Sequence, residues 1–135
     1  MALPSVGGGY QVGDGNVEAQ MAVQGAPASL TVTAAITAAQ LATQLILGNP
    51  GSSAATYTLP TVALLEATLG NVHDNSSFDF SVINVDGSGS GVITMAAGTG
   101  WSTVGLLTIA ATAGTTHRYR ARKTGAGAWT MYTLA

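Results

Sequence analysis

The sequence predicts a mostly β, single-domain protein: a β-sandwich of jelly-roll kind, with one or two short helices and an extended N-terminal arm. Three observations predict it. Apolar and polar residues alternate with period two in short runs, as where Phe78, Phe80 and Val82 share one face and Asp79, Ser81 and Ile83 the other. Gly-, Pro- and Asn-rich turns separate these runs at short intervals. The first sixteen residues carry Gly7-Gly8-Gly9 and Gly13-Asp14-Gly15-Asn16, which hold no helix and add little to a core.

Residues 1–16 therefore read as the arm and 17–135 as the β-sandwich domain. Within the arm, Leu3, Tyr10 and Val12 are scattered apolar anchors for a partner surface. Val17, Ala19, Met21 and Val23 alternate with polar or small neighbours and predict a first strand, ended by Gly25-Ala26-Pro27. Leu30, Val32 and Ala34 predict a second. Thr37 and Gln40 match a capping box, so a short helix or turn is expected through Leu41 and Leu45. A strand over 55–59 ends at Pro60. Val62, Leu65 and Leu69 then fall at helical spacing, with Gly70 as the stop. Strands are expected from Phe78, over 92–95, 103–110, 116–123 and 128–134. Thr124-Gly125-Ala126-Gly127 joins the last two as a hairpin turn. No strict internal repeat is visible.

A length of 135 residues suits one domain. With no cysteine, disulfides and thiolate metal sites are excluded. The N-terminus shows no basic region followed by an apolar run, so no signal peptide is expected. No stretch reaches the length of a membrane span, and no membrane partner is expected. Charged residues make up 7% of the chain, against about 25% in an ordinary soluble domain, and mean hydropathy is +0.35. Such a surface points to burial in a homo-oligomer or larger assembly. A monomer coated in Thr and Ser is the alternative.

The search for chemistry finds little. His73 and His117 have no second ligand at metal-binding spacing and read as loop histidines. Asp14-Gly15-Asn16-Val17-Glu18 resembles the start of a calcium loop but lacks the downstream Gly and Glu. The glycine clusters precede no Gly-Lys-Ser/Thr, and no Gly-x-Ser-x-Gly elbow exists. Asn75-Ser76-Ser77 is a glycosylation sequon of a kind common by chance. The aromatic residues read as core. No enzyme, metal or cofactor is expected.

The charges are unevenly placed. All four basic residues are Arg118, Arg120, Arg122 and Lys123, and all six acids precede them. On a strand, Arg118, Arg120 and Arg122 point to one face. Arginine suits planar pairing with carboxylates, so pairing within or between subunits is the first reading, with Asp79 the named partner. A solvated face and nucleic-acid binding are the alternatives. The last would bring more basic residues and stacking aromatics, so nucleic acid is not the expected partner.

Several stretches resemble a family of small proteins from the structural gene clusters of tailed bacteriophages. They are Ala55-Thr56-Tyr57-Thr58-Leu59-Pro60-Thr61 with Leu64-Leu65; Ser77-Phe78-Asp79-Phe80-Ser81-Val82-Ile83-Asn84; Ile93-Thr94-Met95 with Gly98-Thr99-Gly100-Trp101; and Arg118-Tyr119-Arg120-Ala121-Arg122-Lys123 with Trp129-Thr130-Met131-Tyr132. Together they span about residues 50–135. The resemblance is to head decoration (cement) proteins and related virion β domains. It implies a homotrimer on the capsid surface, the major capsid protein as partner, and a terminal arm that holds the shell. A receptor- or glycan-binding β module of a tail fibre or spike is the rival from another class.

Overall fold

The structure, a computed structural model, describes residues 21–85 and 88–135. Its strands are β1 (Ala28–Leu30), β2 (Ala34–Ala35), β3 (Leu45–Gly48), β4 (Ala55–Thr58), β5 (Ser77–Asn84), β6 (Ile93–Ala96), β7 (Trp101–Val104), β8 (Thr108–Ile109), β9 (Thr115–Gly125) and β10 (Ala128–Thr133). Helix α1 (Ala38–Ala42) lies between β2 and β3, and α2 (Val62–Leu69) between β4 and β5. The strands make a six-stranded sheet in the order β1-β3-β5-β9-β10-β7 and a four-stranded sheet in the order β2-β4-β6-β8. One apolar core is shared by Ile46, Phe80, Tyr119 and Trp129 of the first sheet and Tyr57, Ile93 and Met95 of the second. The expected two-sheet β domain with two short helices is therefore what the chain forms.

The winding is less conventional. From β1 to β6 the chain coils, and each turn gives one strand to each sheet. Ala28, Ile46 and Val82 align across β1, β3 and β5, all parallel. Ala34, Tyr57 and Met95 align across β2, β4 and β6, also parallel. Both helices lie on the path by which a turn returns from the second sheet to the first. Among the described residues, antiparallel pairing is confined to β5 with β9, β9 with β10, and β6 with β8. The β9–β10 hairpin sits between β5 and β7, and β7 runs parallel to β10.

Successive turns reuse one local solution. Thr37 caps α1, its hydroxyl accepting from the Gln40 amide at 3.1 Å while the Gln40 side chain accepts from the Thr37 amide at 2.9 Å. Thr61 caps α2 in the same way, accepting from the Leu64 amide at 3.3 Å. In both helices the residue after the cap and the residue four after it are buried: Ala38 and Leu41, then Val62 and Leu65. This Thr-x-x-x-Leu echo is an internal repeat that identity alone does not reveal.

The sheets meet closely where β3 crosses β4 and β6. A Cβ on Gly48 would lie 2.3 Å from Ile93 Cδ1 and 3.0 Å from Tyr57 Cε2. Glycine is required there because the far sheet occupies the space. The Tyr57 hydroxyl reaches across to donate to the Leu30 carbonyl at 2.8 Å. Buried Asn84 donates to the Gly91 and Ala110 carbonyls at 2.8 and 3.0 Å, so its polarity is met inside.

Several expected elements differ. Residues 17–20 of the expected first strand lie outside the described residues. Its remainder forms no strand, and Met21 and Val23 are 91% and 102% exposed. The expected second strand is split: Leu30 ends β1 in one sheet, Ala34 begins β2 in the other, and Val32 stands exposed at the corner. The first helix stops at Ala42, and Gln44, at φ 65°, turns the chain so that Leu45 begins a strand. The expected strand over 103–110 divides into β7 and β8 at Gly105.

Candidate functional site

β9 carries the basic residues, and its inner face fixes their direction. Tyr119 and Ala121 are fully buried, so the period-two alternation turns Arg118, Arg120 and Arg122 outward, away from the second sheet. The outward face of β5 lies alongside. Register sets Asp79 directly opposite Arg120, with Ser81 opposite Arg118 and Ser77 opposite Arg122.

Asp79 joins two of the three arginines. Arg120 Nε donates to Asp79 Oδ1 at 2.6 Å and Arg120 Nη2 to Oδ2 at 3.0 Å, a bidentate fork. Arg118 Nη2 donates to the same Oδ2 at 2.5 Å. The Gln44 side chain anchors the strand beneath, its Nε2 donating to the Asp79 backbone carbonyl at 2.9 Å. The hydrogen bonds from Arg120, and then those from Arg118, hold the Asp79 carboxyl below its ordinary pKa despite some desolvation. The same contact raises the pKa of Arg120. About half of each arginine side chain remains exposed, 56% for Arg118 and 48% for Arg120.

Arg122 finds neutral partners. Its Nη1 donates to the Tyr132 hydroxyl at 2.9 Å and its Nη2 to Asn75 Oδ1 at 2.8 Å. Asn75, the sequon residue, sits at φ 71° in the turn before β5. Neither partner was named from the sequence. The hairpin turn before β10 was the available signal for Tyr132, since it fixes the β9–β10 register and so puts Tyr132 opposite Arg120. Lys123 leaves the outward face: its ammonium pairs with Glu66 of α2, and the same Glu66 oxygen accepts from Trp129 Nε1 at 3.0 Å. Lys123 first and Trp129 second lower the Glu66 pKa. This cluster ties α2 to the β9–β10 hairpin.

The remaining candidates are scattered. Leu3, Tyr10 and Val12 of the arm, and the calcium-loop-like 14–18, lie outside the described residues. His117 Nδ1 lies 2.8 Å from the Ala135 carbonyl oxygen, and the His73 amide donates to Ser76 Oγ. Among the described residues no three His, Asp or Glu side chains gather as a metal site. A groove of about 670 Å³ follows the corners of the coil, walled by Ile36, Leu59, Pro60, Leu64 and Thr99 among others, with no ionisable side chain in its wall.

Comparison with protein-family models, with curated proteins and with solved structures returns no match to this chain.

Proposed function

We propose that this chain is a structural protein of a bacteriophage virion that decorates and stabilises the capsid. Trimers of it bridge neighbouring subunits of the major capsid protein and sit on the capsid surface, held in part by the arm over residues 1–16. The mechanism is mechanical: each copy adds buried area across a seam in the shell, and repetition makes modest contacts strong. The sequence resemblance over about residues 50–135 supports the capsid setting.

One structural observation carries the assembly part of this reading. With only 7% of its residues charged, the domain exposes large apolar side chains: Met21, Val23, Val32, Leu64, Val104 and Leu106, each more than half exposed. Their burial against other chains would explain why so few charges suffice.

The test is stoichiometry in purified virions. A copy number comparable to that of the major capsid protein is expected, with loss of attachment when residues 2–16 are deleted. A copy number far below it would favour the receptor- or glycan-binding tail module. A monomer of 13.4 kDa in sedimentation would count against the trimer.

A further inference from the structure

The outward face of the six-stranded sheet pairs an excess of guanidinium groups with apolar neighbours. Asp79 is its one acid among the described residues, and it already receives three hydrogen bonds from Arg118 and Arg120. Arg122 is held by two neutral oxygens. Three arginines and one carboxylate leave this face a surplus of positive charge, while the one lysine is turned inward to Glu66. Around the arginines the register places Leu45 next to Ser81, Leu47 next to Ile83, and Tyr132 next to Val104. Leu45, Leu47, Ile83 and Tyr132 are half-buried and Val104 is exposed.

We propose that this face is a docking surface for the acidic surface of another protein, with Arg118, Arg120 and Arg122 receiving its carboxylates. Charge complementarity selects the occupant. The one acid of this face among the described residues is engaged already, and the bidentate geometry at Asp79 is the geometry an incoming carboxylate would adopt. The composition agrees: arginine and tyrosine with aliphatic neighbours, and no lysine, is the profile of a protein interface. Nucleic acid is disfavoured, because the surplus is small and no exposed aromatic platform accompanies it. On the capsid reading the partner is the shell; the docking chemistry rests on that reading only for the partner's identity.

The test uses the full chain and a fluorescein-labelled poly-L-glutamate peptide, with single-stranded DNA of equal charge as the second probe. Binding to poly-L-glutamate should weaken steeply between about 50 and 200 mM salt. Arg118→Glu should weaken it at least about tenfold. Asp79→Asn, which releases two guanidinium groups, should strengthen it several-fold, an effect that a purely structural role for the pair would not produce. Circular dichroism of each variant checks that the fold is kept. Tighter binding to DNA than to poly-L-glutamate would overturn the proposal in favour of nucleic acid. Absence of binding, or an Arg118→Glu variant that binds like the parent, would overturn it outright. Because no virion enters the assay, its failure is separate from failure of the capsid reading.

Discussion

Gly48→Ala should destabilise the domain, and Ile93→Val should relieve much of that cost. The added methyl would stand 2.3 Å from Ile93 Cδ1 and 3.1 Å from the Tyr57 hydroxyl. Carbon atoms in good contact are about 3.5 to 4.0 Å apart, so one sheet must give by more than an ångström or Ile93 must leave its rotamer. Overpacking of this kind costs ~1 to 3 kcal/mol. Ile93→Val alone removes Cδ1 from a fully buried site and should cost ~0.5 to 1.5 kcal/mol. Acting independently, the two would cost roughly 1.5 to 4.5 kcal/mol together. They do not act independently, because valine lacks the atom that the new methyl strikes. The double variant should therefore be at least ~1 kcal/mol more stable than the sum predicts. Urea denaturation of the four proteins, with an unchanged m-value, measures it. Additivity within about 0.5 kcal/mol would mean that β3 and β6 do not face each other, and the packing of the two sheets would have to be redrawn.

Two further outcomes follow from polar groups in and beside the core. The Tyr119 hydroxyl is buried and makes no hydrogen bond to a described residue, and burial pushes its pKa to about 12. Tyr119→Phe should thus be neutral or stabilising at pH 7. A pKa raised on folding contributes stability below the unfolded value near 10, lost as pH rises through the folded one. The parent should therefore lose ~1.4 kcal/mol per pH unit over that window on this account, and Tyr119→Phe should flatten the loss. An alkaline series of urea midpoints checks both; a destabilised phenylalanine variant would show that the hydroxyl has an unseen partner. Glu66, whose pKa is lowered chiefly by Lys123, works with the opposite sign. Its contribution is present above the unfolded carboxylate pKa and lost as pH falls through the depressed folded value. The Trp129 indole N–H resonance should report that acid transition, and Glu66→Gln should abolish it; an unchanged profile would place Glu66 elsewhere.

What was legible in the sequence was mostly local. The capping box at Thr37 and Gln40, the α2 spacing of Val62, Leu65 and Leu69, and the alternation of β5 each depend on neighbours within one element, and each is present. The pairing of Arg120 with Asp79 was also legible, because a chain with so few charges leaves a strand arginine few carboxylates to meet. Strand direction was not: alternation is the same in parallel and antiparallel sheets, so the coil left only the short Thr-x-x-x-Leu echo as its mark. β3 was hidden because Leu45-Ile46-Leu47 is apolar on both faces, and its start depends on the single backbone reversal at Gln44. Asn75 stands out in the sequence only as part of a sequon, because its pairing comes from a turn that brings it to Arg122, 47 residues away.

The placement of the β9–β10 hairpin has a consequence for biosynthesis. β7 has one described neighbour, β10, and between their paired residues Trp101 and Trp129 lies all of β8 and β9. A nascent chain can wind its first three turns as they leave the ribosome. It must leave β7 without a partner until β10 has been translated, and only then can the far edge of the six-stranded sheet close. Completion is thus vectorial in its beginning and deferred in its end. Such late pairing of distant segments is slow, of the order of milliseconds to seconds, and for that interval β7 is a bare edge open to the wrong partner.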